Sequence, residues 1–216
     1  MAAPVPSPSP RAQRTRAALL DAGLDLLADR PIEAVAIDEV VTRAGVAKGS
    51  FFNHFADKQA FADAISAVVR GEIELRVEAV NRGLPDPLER LAGGMIAAAA
   101  FAQAQPRRAA VLLRATSRMT PRDHPINRGL RADLDCAVAA GQIDRASTED
   151  GVLFWLTCCQ AVLGEVADRA LPPKATLRLV SAMLHLGLRG LGASAADLAR
   201  IAAPQHLSAR FAACRL

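Results

Sequence analysis

Proline and glycine divide this chain into pieces of helical length, and no segment between the breaks alternates apolar and polar residues as a half-buried strand does. The breaks are Pro31, Gly45, the Gly-Leu-Pro-Asp-Pro run at 83–87, Pro106, Pro121, Gly141, Pro172-Pro173 and Pro204. Proline lacks the amide donor and clashes with the preceding turn; glycine admits the left-handed backbone that ends a helix. Between the breaks, apolar spacing predicts helices over 11–30, 37–44, 47–54, 58–82, 87–105, 107–119, 127–141, 147–170 and 173–191. One or two weaker helices are expected over 194–216, a segment whose role the sequence leaves open. Residues 1–10, MAAPVPSPSP, carry proline at 4, 6, 8 and 10 and predict an extended, disordered tail. The expected fold class is all-α.

Composition narrows the function classes. Half the residues are hydrophobic (51%), enough for a sizeable core. No apolar run reaches the ~18 residues of a membrane span, and the first residues lack the apolar stretch of a secretion signal. The four cysteines have no CxxC spacing, so a cytoplasmic location with reduced thiols is expected, with no membrane partner. Cys158-Cys159 reads as a pair of small buried side chains. His124 and His185 have no ligand spacing, and no GxSxG, P-loop or HExxH motif is present. No metal, no cofactor and no enzymatic activity are expected.

The net charge of +4 hides a segregated pattern. In residues 1–58 seven basic residues balance seven acids: arginine comes first, acids in the middle and lysine late. The chain holds only three lysines, and two of them, Lys48 and Lys58, flank the aromatic stretch GSFFNHF at 49–55.

That stretch belongs to IDEVVTRAGVAKGSFFNHF, which has the grammar of a helix-turn-helix: a short helix, a turn at Gly45 and a second short helix. Val40 and Val46 are expected to face a shared core. With Phe51 taken as inward, Phe55 and Ala47, four residues to either side, share its face. Gly49 and Asn53 then face outward, with Ser50 and Phe52 on the flanks. The outward set suits a DNA major groove. Gly49 permits close approach, Lys48 reaches a guanine edge or a phosphate, Ser50 a base edge or phosphate, and Asn53 an adenine edge. Phe52 is expected against a sugar or a thymine methyl. His54 and Lys58, with Thr42 and Arg43 on the preceding helix, complete the expected DNA-binding set.

Residues 14–61, and above all AGVAKGSFFNHFADKQAF, resemble the DNA-binding domain of TetR/AcrR-type transcriptional regulators. The remainder resembles that family only in its layout of helices ending in a long apolar pair. Three departures stand out. Phe52 takes the place of a common tyrosine, Pro31 follows the first helix where glycine is frequent, and Ala36 replaces a capping threonine or serine. Arg11, Arg14 and Arg16 are candidates for an arm on the DNA backbone or in a minor groove; a solvated tail is the alternative.

The resemblance implies a helix-turn-helix domain over 11–57 and a ligand-binding and dimerisation domain over 58–216. It implies a regulator, in the commoner case a repressor, that binds a palindromic double-stranded operator and is released by a small-molecule effector. Candidate effector-lining residues are Met95, Phe101, Met119, Phe154, Trp155 and Cys158, with Arg114 and Arg118 four apart for an anionic group. A mostly apolar lining suggests a hydrophobic or aromatic effector. The uncharged runs 151–164 and 179–188 need cover on more than one side. Pairing of two such hairpins would make a homodimer, and a wholly internal core pair is the alternative. Two other functions remain open from sequence: a DNA-binding dimer without an effector, and an all-helical enzyme.

Overall fold

A computed structural model describes residues 9–115, 124–145 and 147–214, and among them every regular element is a helix. They are α1 (Pro10–Leu27), α2 (Ile37–Ala44), α3 (Lys48–Phe52), α4 (Lys58–Asn81), α5 (Pro87–Ala104), α6 (Pro106–Ala115), α7 (Arg128–Ala139), α8 (Ser147–Asp168), α9 (Pro173–Gly190), α10 (Ala195–Ile201) and α11 (Pro204–Ala213). Single 3-10 turns lie at Ile32–Ala34 and Pro125–Asn127. The helices fall into two compact units. The first holds the described residues up to Val69 together with 110–115, and the second the rest. α4 runs unbroken from the first unit into the second.

In the first unit, α1 starts earlier than expected. Ser9 accepts a hydrogen bond from the Ala12 amide at 3.3 Å, and Pro10 occupies the first helical turn, where its missing amide costs nothing. Arg11, Arg14 and Arg16 sit on this helix, within the span expected to be helical, and Arg16 lies over the Phe55 ring at 5.5 Å. α1 buries Leu19, Leu20, Leu24, Leu26 and Leu27. Gly23 lets it close on α4: a Cβ there would lie 2.4 Å from both Ile65 Cδ1 and Phe61 Cζ. α2 ends at Gly45, whose φ of +67° is the left-handed conformation that turns the chain. The Val46 amide bonds back to the Val41 carbonyl at 3.0 Å across that turn. Asp57 caps α4 by accepting from the Ala60 amide at 2.7 Å.

The second unit is built round α5, whose residues from Leu88 to Ala102 are almost all buried. α7, α8, α9, α10 and α11 pack on it. Asp86 caps α5 by accepting from the Leu88 amide at 2.9 Å. α8 and α9 form the expected hairpin through Leu171-Pro172. The span Asp150–Asp168 is long and apolar enough, by length and composition, to cross a membrane, which the sequence reading did not anticipate. Its Val152, Trp155, Val162, Leu163 and Val166 are instead buried in the unit. The pair is not wholly internal within one chain, because Leu153, Phe154 and Leu186 are 37%, 39% and 68% exposed.

The C-terminal segment, whose role the sequence left open, is fastened to α5 through one carboxylate. Glu89 is buried and receives Arg210 Nη1 at 3.1 Å, Arg200 Nη1 at 3.0 Å and His206 Nε2 at 2.8 Å. Arg210 also donates to the Glu89 carbonyl at 2.8 Å and to Asn81 Oδ1 at 3.1 Å. Gly93 leaves room for this, since a Cβ there would fall 1.9 Å from Asn81 Oδ1.

Candidate nucleic-acid interface

α3 is short because its two ends are fixed by different means. Ala47 precedes it with extended backbone (φ −72°, ψ 149°), and Asn53 closes it in helical conformation. Helical periodicity thus runs forward from Lys48 but not back to Ala47. This corrects one expectation: Ala47 is exposed, not part of the inward face. Forward of that point the reading stands. Phe51 is fully buried, Phe55 is buried, and both stack with Phe61 at centroid distances of 5.1 and 4.9 Å. Phe51 and Phe55 lie 5.6 Å apart. Phe61 of α4 meets both rings edge-on, and this trio holds α3 to α4.

On the front, Lys48, Gly49 and Asn53 are exposed and Ser50 is half-buried. Phe52 is 53% exposed, an unusual placement for a large apolar ring. Nothing lies within 4 Å of a Cβ built on Gly49, so the open front continues across it. Thr42 and Arg43 are exposed on α2, while His54 and Lys58 are half-buried beyond α3. Val40 is buried as expected; Val46 is half-buried. The nine residues expected to bind DNA therefore all belong to the first unit, and none is sequestered in its core.

The electrostatics of this front were only partly legible. Lys48 Nζ sits 2.8 Å from Asp38 Oδ1, and Arg43 Nη2 sits 3.0 Å from Asp25 Oδ2. Arg30 pairs with Glu39, and Lys58 Nζ donates to the Glu33 carbonyl at 3.2 Å. The sequence signal for these partners was the block of acids between the arginines and the lysines. Ala36 provides no side-chain cap for α2, as its apolar side chain implies.

The candidate effector residues do not form one set. Met95, Phe101 and Trp155 are fully buried in the second unit, Cys158 is half-buried and Phe154 is partly open. Arg76 covers the Phe101 ring at 5.0 Å. Arg114 belongs to the first unit and donates to the Ala28 carbonyl at the end of α1. Arg118 and Met119 lie outside the described residues. A surface depression of the second unit, lined by Asp135, Val138, Ala139, Ile143, Asp144 and Arg145, involves none of them. Cys158 and Cys159, expected to be buried, are both half-buried; desolvation still pushes their thiols up and favours the protonated form.

A ring-pinned second helix, an αL glycine turn and a small polar front make up a helix-turn-helix of the kind that docks in a DNA major groove. Comparison with known proteins agrees. Residues 19–65 match the model for bacterial regulatory proteins of the tetR family. The A-factor receptor protein of Streptomyces griseus is 34% identical over 84 residues, which are 39% of this chain and 28% of that receptor's length. A crystal structure of a gamma-butyrolactone receptor, described as ArpA-like, shares 25% identity and a TM-score of 0.60, covering 93% of this chain and 98% of that one. The RolR structure in complex with resorcinol has a TM-score of 0.61 at 23% identity, covering 89% of this chain and 95% of that one. The likeness to the tetR family thus rests on residues 19–65, and the chain spans 28% of the length of the curated relative it matches.

Proposed function

We propose that this chain is a ligand-responsive transcriptional repressor. As a homodimer in the cytoplasm it binds a palindromic operator, and a small, largely apolar effector releases it. The observation that carries the reading is the front of α3, where exposed Lys48, Gly49, Phe52 and Asn53 are backed by buried Phe51 and Phe55. Residues 11–57 are the DNA-binding domain in this reading, and 58–216 the ligand-binding and dimerisation domain. Thr42, Arg43, His54 and Lys58 support the helix on phosphates, and Ser50 meets a base edge or a phosphate.

Pairing of α8 and α9 with their copies supplies the dimer, since Leu153, Phe154 and Leu186 leave apolar surface in want of cover. The effector acts if it prefers one of the two spacings of the recognition helices; equal affinity for both would shift nothing. α4, continuous from one unit into the other, is the element through which that preference acts. Met95, Phe101, Trp155, Phe154 and Cys158 remain the proposed effector wall. The ligands named for its relatives, resorcinol and gamma-butyrolactone, are compact rings bearing oxygen, and a ring of that size suits an apolar wall.

Selection of bound duplexes from a random pool tests this reading. Enrichment of an inverted repeat with half-site centres about 34–36 Å apart is expected, with release by resorcinol-type phenols or butyrolactones. A pool that never enriches, at any salt concentration, overturns it.

A further inference from the structure

The cations on the front of the first unit are already engaged. Lys48 is the first residue of α3, Asp38 lies in the first turn of α2, and their charged atoms are 2.8 Å apart. Both side chains are largely in solvent, 60% and 70% exposed, so the pair is screened and is cheap to open. We propose that Asp38 competes with DNA for Lys48, and so holds down binding to duplexes of any sequence. The proposal rests on the DNA-binding reading above.

The physical case has two parts. To meet a phosphate oxygen or a guanine edge, the Lys48 ammonium must leave Asp38. The carboxylate is then left unpaired in the field of a polyanion, so much of what Lys48 gains on DNA is offset by what Asp38 loses. Furthermore, a lysine already neutralised by a carboxylate brings little net counterion release, the term that drives sequence-independent binding. The pairing of Arg43 with Asp25 and of Arg30 with Glu39 repeats the device, and residues 1–58 accordingly carry no net charge. Affinity is thereby shifted from charge towards Asn53, Ser50 and Phe52, the side chains that can tell one base from another.

Asp38→Asn, Lys48→Ala and the double variant, measured with the full chain by fluorescence anisotropy, test this. The ligands are the selected operator and an unrelated duplex of the same length. Asp38→Asn is expected to bind both duplexes about 2- to 5-fold more tightly, the span an exposed ion pair supports. Its plot of log affinity against log salt should steepen by about one. In the Lys48→Ala background the same change should give little gain. Asp38→Ser, which keeps a polar side chain in the first turn of α2, should reproduce the effect and guards against a folding artefact of the asparagine. Unchanged or weaker binding by both folded Asp38 variants overturns the proposal. So does a gain that persists in full without Lys48, since the carboxylate would then act by plain repulsion. If the wild-type chain binds no duplex even at low salt, the parent reading fails instead.

Discussion

At the scale of the residue, α3 sets its proposed base-reading side chains opposite the rings that hold the helix. Asn53→Ala should relax base preference at one operator position, at a cost of about 1–3 kcal/mol in discrimination; repeated selection with the variant shows whether that position alone broadens. Phe52→Tyr should tighten operator binding by about 1 kcal/mol if a phosphate is within reach of its hydroxyl, read as a lower Kd in the same assay. The position of Phe51 and Phe55 was legible from four-residue spacing, because the turn after α3 still bonds the Phe55 amide to the Phe51 carbonyl at 2.9 Å. Ala47 was misread for the converse reason: the residue before a helix has extended backbone, and periodicity does not reach it. Gly23 was not singled out, since nothing local shows that Phe61 and Ile65 will close on it. Gly23→Ala should force both rigidly buried neighbours to move and cost about 1–3 kcal/mol, measured as a lower Tm with an unchanged helical spectrum.

At the scale of the element, proline and glycine punctuation located nearly every helix, and the differences lie at the ends, as where α1 stops at Leu27 rather than at residue 30. α1 began earlier than expected because Ser9 caps it. Contacts between distant segments were not legible. Glu89, Arg200, His206 and Arg210 are ordinary surface residue types in sequence, and only folding brings them together. α4 carries a different tension. Arg70, Glu74 and Glu78 are four apart on one stripe, and burial, then the Glu78 charge, push the Glu74 carboxyl up while Arg70 draws it back. A carboxyl raised in the folded state holds its proton more tightly there than when unfolded. Its contribution is thus fully present below the ordinary carboxylate range and is lost as pH rises through the raised value. Glu74→Gln should remove that loss, so its Tm should exceed that of the wild type at neutral pH and converge with it in acid.

At the scale of the whole molecule, the uncharged runs 151–164 and 179–188 suggested helices in want of a second copy, with a wholly internal pair as the alternative. The exposure of Phe154 and Leu186 agrees with the former. On the proposed α8–α9 pairing, Leu186→Arg should yield a monomer in sedimentation and lose operator binding together with dimerisation, since a single helix-turn-helix holds only one half-site. The effector wall was the least legible part. Apolar residue types look alike whether they line a cavity or fill a core, and Arg114, chosen as an anion partner, proved to be tied to the end of α1. The knot at Glu89 has a practical corollary. Shortening the chain ahead of Pro204 would strip His206 and Arg210 from a carboxylate that has almost no access to water. Arg200 alone would then remain beside that anion, so the last helix, remote in sequence from α3, should prove indispensable to a soluble preparation.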